Sequence, residues 1–207
     1  MTAVLNADPR SPVARRILTV AKDILGSVGE SLLRVDAVMD GASVQAPVIY
    51  RHFGSREGLV QSAYLARFLE VLDLEYALFD AAAQQATSAD DFRSAFDDLV
   101  TKMLGEEHRA ANLTRLEVLA MATSRPELAD AIIAAQTSAF ARSVPALDHA
   151  QQQGWIRSDI DTTEYAVWAV SSTLGRAMIV RFVDHPGMDD RWAVMHHRAV
   201  SAVLFGD

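Results

Sequence analysis

The chain has 207 residues, half of them hydrophobic and 22% charged, with no cysteine and a formal net charge of −8. These proportions describe a globular protein long enough to bury its own core, and they exclude a disulfide framework, Cys-based zinc sites and a disordered chain. The absence of cysteine suits a reducing compartment, the cytoplasm by default. No stretch free of Asp, Glu, Lys and Arg exceeds 11 residues, far short of the roughly 20 apolar residues of a membrane helix, so the sequence predicts no membrane partner.

The first ten residues lack a basic segment followed by an apolar one, so they read as a frayed tail rather than a signal peptide. Ser11-Pro12 is a helix start, a capping hydroxyl followed by a proline at a position that needs no N–H. Val13, Ile17, Val20, Ile24 and Val28 then recur at steps of three and four, an apolar stripe ending near Gly29. A short second helix is predicted over about residues 34–41, a tight connection over 42–45, and a brief third helix from Pro47 to Phe53. Gly54 stops it, and Ser55 caps a long fourth helix with Glu57 in its first turn.

Beyond residue 87 further helices are predicted over about 89–104, 109–123, 126–152, 162–183 and 189–205, with Pro145 expected to kink or divide the third of them. Runs with strand periodicity are hard to find, so the fold class is all-α. The charge is uneven. Residues 9–67 hold eight Arg or Lys against five acids, leaving −11 on the remainder, a mildly basic head on an acidic body.

Three short helices in some 45 residues, the third following a turn, have the layout of a helix-turn-helix reader of duplex DNA. On a helical wheel Ile49 and Phe53 point together into a core, while Pro47, Val48 and Arg51 point away with Tyr50 at the margin. Arg51 can pair with guanine or phosphate and Val48 can touch a thymine methyl. Tyr50 and His52 can hold phosphate oxygens, and the free N–H groups at 55–57 beside Arg56 form a phosphate site.

Val48-Ile49-Tyr50-Arg51-His52-Phe53-Gly54-Ser55-Arg56-Glu57-Gly58-Leu59 resembles the signature of the tetracycline-repressor (TetR) family of transcriptional regulators, and the resemblance covers about residues 12–65. It implies phosphate contacts by Tyr50, His52 and Arg56, and base or groove contacts by Gln45, Ala46, Pro47, Val48 and Arg51. Four positions depart from the family pattern. Ser43 stands where the turn glycine is usual, Gln45 and Arg34 where hydroxyl caps are usual, and Ala46 where a basic residue is frequent. Arg34 can replace its missing cap with a phosphate contact.

The resemblance further implies a flexible tail over 1–10, a DNA-binding domain over 11–58, and a ligand-binding and dimerisation domain over 59–207. The protein would then be a regulator, in the commonest case a repressor, that binds a palindromic operator as a homodimer and leaves it when a small-molecule effector enters the body. Ala166, Ala169, Thr173, Ala177 and Val180 form a small apolar strip, with Ala193, Val194, Val200, Val203 and Leu204 on the last helix. They suit a dimer interface, or else they close the monomer core.

Met103, Leu116, Leu119, Met121, Phe140, Tyr165, Trp168 and Met178 can line a ligand cavity or belong to plain core, and Asn112, Arg115, Gln136 and Ser172 can orient a bound molecule. No cofactor or metal is implied. His196 and His197 are adjacent and so about 100° apart on a helix, and no H-x-x-x-H, G-x-S-x-G or phosphate loop occurs, which argues against an enzyme. The alternative reading is a helical scaffold or ligand-binding protein whose DNA-binding head has degenerated at Arg34, Ser43, Gln45 and Ala46.

Overall fold

The computed structural model describes residues 11–179 and 182–206, without the side chains of 74–85. Among the described residues there is no strand, and nine α-helices follow in order: α1 (Pro12–Val28), α2 (Val35–Ala42), α3 (Ala46–Phe53), α4 (Arg56–Gln85), α5 (Ala89–Met103), α6 (Glu106–Ala122), α7 (Pro126–Gln152), α8 (Thr162–Ile179) and α9 (Met188–Phe205). A 3-10 turn, Glu30–Leu32, joins α1 to α2. The expected tail and Val180 lie outside the described residues.

The chain divides into two compact units. The first comprises residues up to Glu70 together with Val118–Ala134, and the second comprises Val71–Glu117 and Ala135–Asp207. Three helices, α4, α6 and α7, therefore each begin in one unit and end in the other. The α6–α7 corner belonging to the N-terminal unit was not foreseen in the sequence, where nothing local distinguishes residues 118–134 from the rest of the body.

In the first unit the buried face of α1 consists of Ala14, Ile17, Ala21 and Leu25. It is rotated from the expected stripe, which shares only Ile17 with it, and Val28 is exposed. Alanines at 14 and 21 leave room for neighbouring helices to approach, and the larger Val13, Val20 and Ile24 lie half-buried at the edges. Gly41 shows how close that approach is, since a Cβ there would stand 2.6 Å from Val20 Cγ1. Ser11 Oγ accepts from the N–H of Ala14, which makes it the cap of α1.

The second unit closes around Phe92, Phe96, Val100, Leu147, Ala150, Ile156, Tyr165, Val200 and Leu204. Phe205 meets Phe96 edge-on at 5.4 Å, and Phe92 lies 6.0 Å from Trp155. The expected division of α7 at Pro145 does not occur, and the helix runs through it. Pro145 and Ala141 are both exposed, so the carbonyl that loses its intrahelical donor faces water rather than a dry core.

Candidate nucleic-acid interface and body cavity

The helix-turn-helix is built on Ser43, the one non-glycine residue with a positive φ among those described, at φ 52° and ψ 52°. Its N–H donates to Asp40 O, and that of Val44 donates to Met39 O at 3.1 Å, closing the end of α2. The turn therefore forms without glycine, at the strain that a side chain meets in the left-handed region. Neither Arg34 nor Gln45 makes a side-chain cap, in keeping with their departure from hydroxyl residues.

α3 is seated by Ile49 and Phe53, both buried. Gln45, Pro47, Tyr50 and Arg51 are exposed, and Ala46, Val48 and His52 half-buried. Pro47 and Arg51 point away as the wheel predicts, whereas Val48 is half-buried and Tyr50 more open than a marginal position. Arg51 makes no ion pair or hydrogen bond with a described residue, and Tyr50 leaves 45% of its surface in solvent. Arg34 is exposed and stands 3.6 Å from Asp36 Oδ1.

Arg56 is partly committed inside the unit. Its Nε donates to Leu33 O at 3.0 Å and its Nη2 to Glu30 O at 2.9 Å, tying the 3-10 turn to the start of α4. Ser55 Oγ accepts from the N–H of Gly58 at 2.9 Å and caps that helix. Gly58 itself is enforced by geometry, because a Cβ there would meet Phe53 O at 2.1 Å.

Sequence reasoning passed over Arg125 as a functional group. Its Nη2 lies 2.6 Å from Glu30 Oε1 and its Nε 2.8 Å from Glu57 Oε1, while Tyr64 OH donates to Glu30 Oε2 at 3.1 Å. Arg125 thus bridges the 3-10 turn and the first turn of α4. A partner nearly 100 residues away in sequence leaves no periodic trace, so this pairing had no local signal.

Within the second unit, α5, α7, α8 and α9 surround an apolar cavity of about 90 Å³. Of the residues expected to meet a ligand, Met103, Phe140 and Tyr165 line it. Trp168 is exposed, Leu119 falls in the first unit, and Asn112 and Arg115 are buried on α6 away from this lining. Asn112 Oδ1 has no hydrogen-bond partner among the described residues.

The cavity lining also includes His196, which the sequence offered only as a poor metal ligand. Its ring stacks on Trp192 at 4.7 Å, and burial, then Arg176, then His197 push its pKa down to about 4. Among the described residues no cluster of three potential metal ligands occurs.

The strip expected at a dimer interface divides. Thr173, Ala177, Val200 and Leu204 are buried inside their own chain, the last two at 1% and 0% exposure, so they build body core. Ala166, Ala169 and Ala193 are half-buried. The apolar side chains left at the surface of α8 and α9 are Val167, Trp168, Met178, Ile179, Val194, Met195 and Val203. Among the described residues no helix is long and apolar enough to cross a membrane.

Residues 17–63 match the family model of bacterial regulatory proteins, tetR family. The match places a tetR-family domain in the N-terminal part of the chain. No curated protein matches the chain significantly. Solved structures of the TetR fold match it over nearly its whole length. A candidate TetR-family transcriptional regulator from Mesorhizobium loti, 18% identical, superposes with a TM-score of 0.70 over 95% of this chain and 100% of its own. GusR from Salmonella enterica, also 18% identical, gives 0.68 over 95% and 97%. A candidate transcriptional regulator from Saccharomonospora viridis in complex with choline, 18% identical, gives 0.65 over 92% and 96%. The fold is that of a TetR-family transcriptional regulator, with the helix-turn-helix in the N-terminal unit.

Proposed function

We propose that the chain is a ligand-responsive transcriptional regulator, a repressor, that binds a palindromic operator as a homodimer and is released from it by a small molecule. The observation that carries this reading is the outer face of α3. Ile49 and Phe53 anchor the helix, and Tyr50 and Arg51 stand in solvent beside Gln45 and Pro47, with Arg51 uncommitted. A guanidinium and a phenol displayed on a short, rigidly seated helix suit base and phosphate contacts in a major groove. The turn at Ser43 is intact, so the departures in the head do not favour the degenerate scaffold.

Paired half-sites about one helical turn apart need paired readers. Val194 and Met195 on α9, 54% and 71% exposed, with Val167 on α8, give a second copy an apolar surface of the same chain to pack against. The cavity among α5, α7, α8 and α9 is where an effector would enter. A protein of this fold holds choline, which supports small-molecule binding by such a body.

Effector binding reaches the reading head in proportion to its preference between body conformations, about 1.4 kcal/mol for a tenfold loss of DNA affinity. The helices α4, α6 and α7, common to both units, are the physical route. Selection of bound sequences from random duplex DNA tests the reading. An inverted repeat is the expected product, with affinity that falls as salt rises. Recovery of no preferred sequence overturns it.

A further inference from the structure

Every hydroxyl in the cavity lining donates its proton to a carbonyl of its own chain. Ser143 Oγ shares its one proton between the carbonyls of Ala139 and Phe140, each at 3.4 Å, Thr173 Oγ1 donates to Val170 O at 2.9 Å, and Tyr165 OH to Val200 O at 3.3 Å. The remaining polar side chain of the lining is His196, 8% exposed. Its Nδ1 lies 3.3 Å from Ser172 Oγ. That hydroxyl has a single proton, donated to Ala169 O at 2.7 Å, so towards the imidazole it can only accept.

The proton of the neutral ring is therefore on Nδ1, and Nε2 presents a lone pair with no partner among the described residues. The ring is held neutral by its burial and by Arg176. The cations nearby are spent. Arg176 grips Asp189 at 2.6 Å and donates to Leu104 O at 2.9 Å, and Arg109 lies 3.1 Å from the same aspartate. The lining thus combines apolar walls, no free charge and acceptors without donors, the imidazole nitrogen being the most basic of them.

We propose that the cavity takes a small, uncharged, largely apolar molecule carrying one hydrogen-bond donor, an alcohol or a phenol, whose hydroxyl is received by His196 Nε2. This assignment deepens the effector reading above and rests on it for its regulatory meaning. A purely apolar molecule leaves the acceptor unmatched, and a carboxylate or an ammonium ion would be buried without a countercharge. An apolar void of about 150 Å³ holds benzene. The present 90 Å³ is smaller, so a ring of that size requires the flexible Met103 side chain in the lining to move aside.

Calorimetric titration of the full chain at pH 7.5 with phenol, toluene and benzoate tests the assignment. Phenol binds about fivefold more tightly than toluene, the worth of one neutral hydrogen bond, and benzoate does not bind. In His196→Phe phenol falls to the level of toluene while toluene is unchanged, and Ala169→Phe, which fills the void, abolishes both. Equal binding of phenol and toluene, tighter binding of benzoate, or phenol affinity indifferent to His196→Phe overturns it.

Should His196→Phe not fold, the imidazole nitrogen resonances of the unmodified protein decide. Phenol shifts the Nε2 signal, and an unmoved signal at saturating phenol overturns the assignment. Binding to the selected duplex is measured on the same sample. Duplex bound without phenol binding overturns the ligand class and leaves the regulator standing. Phenol bound through His196 with no duplex preferred supports the ligand class and removes the regulator.

Discussion

Arg125 Nη2 and Glu30 Oε1 lie 2.6 Å apart and join the α6–α7 corner to the turn that follows α1. The guanidinium also holds Glu57, and its centre stands 5.8 Å from the Tyr64 ring centroid. With 16% of the Arg125 side chain exposed, the pair is better shielded than a surface bridge yet not dry. Arg125→Ala is expected to lower the urea-unfolding free energy by about 1 kcal/mol. A double-mutant cycle with Glu30→Gln should show a coupling of about 0.5 kcal/mol or more, and additive losses would mean that the bridge contributes nothing specific.

The turn between α2 and α3 carries removable strain. Ser43 sits at φ 52°, where a side chain costs about 1–2 kcal/mol and glycine costs nothing sterically. Part of that gain is lost to the larger freedom of glycine in the unfolded chain. Ser43→Gly should therefore raise stability by about 0.5–1 kcal/mol without altering the fold. At Gly58 the sign reverses. Gly58→Ala forces a methyl against Phe53 O and should lower stability by about 2 kcal/mol, read as an earlier thermal midpoint.

The reader of the sequence could see the head because its information is local. Ser11-Pro12, the Ile49/Phe53 spacing and Gly54-Ser55 act within one or two helical turns, and each sits where expected. The strained turn at Ser43 was visible too, as a missing glycine. What escaped was long-range. The rotated face of α1 depends on which neighbours need the small side chains at Ala14 and Ala21, and Arg125 depends on carboxylates far away in the chain. On α8 and α9 the spacing of Thr173, Ala177, Val200 and Leu204 marks an apolar face without saying whether it closes on its own chain or on another. His196 was visible only as half of an adjacent histidine pair, a spacing that does not say which ring turns towards the core.

Arg51 and Arg56 should separate under mutation, although both lie in the signature. Arg56 donates two hydrogen bonds to backbone carbonyls, so Arg56→Ala is expected to cost about 1–2 kcal/mol of stability whatever it does to DNA. Arg51 has no such commitment, and Arg51→Ala should leave stability within about 0.5 kcal/mol. On the proposed operator Arg51→Ala should cost about 1–3 kcal/mol of affinity and relax preference at one base position. Equal loss of stability in both variants would contradict this division, and fluorescence anisotropy alongside urea unfolding reads both quantities.

His196 should make stability fall in acid over a defined window. Its folded pKa is about 4 against about 6.5 in an unfolded chain. Above pH 6.5 neither state binds the proton and this group contributes no slope. Between pH 6.5 and 4 the unfolded chain takes up a proton that the folded chain refuses, so unfolding gains up to about 1.4 kcal/mol per pH unit from this one ring. Below pH 4 both states are protonated and the slope ends. Burial does most to hold the folded ring neutral, helped by Arg176 on α8 and by His197 on α9, whose Nε2 lies 3.1 Å from Asp97 Oδ1 on α5. Carboxylates titrate in the same range, so the measurement is a difference: denaturant midpoints of the unmodified chain and His196→Phe, taken every half unit from pH 4 to 7.5. The unmodified chain should lose stability faster with acid, and parallel curves would place the imidazole in contact with solvent rather than among α5, α7, α8 and α9.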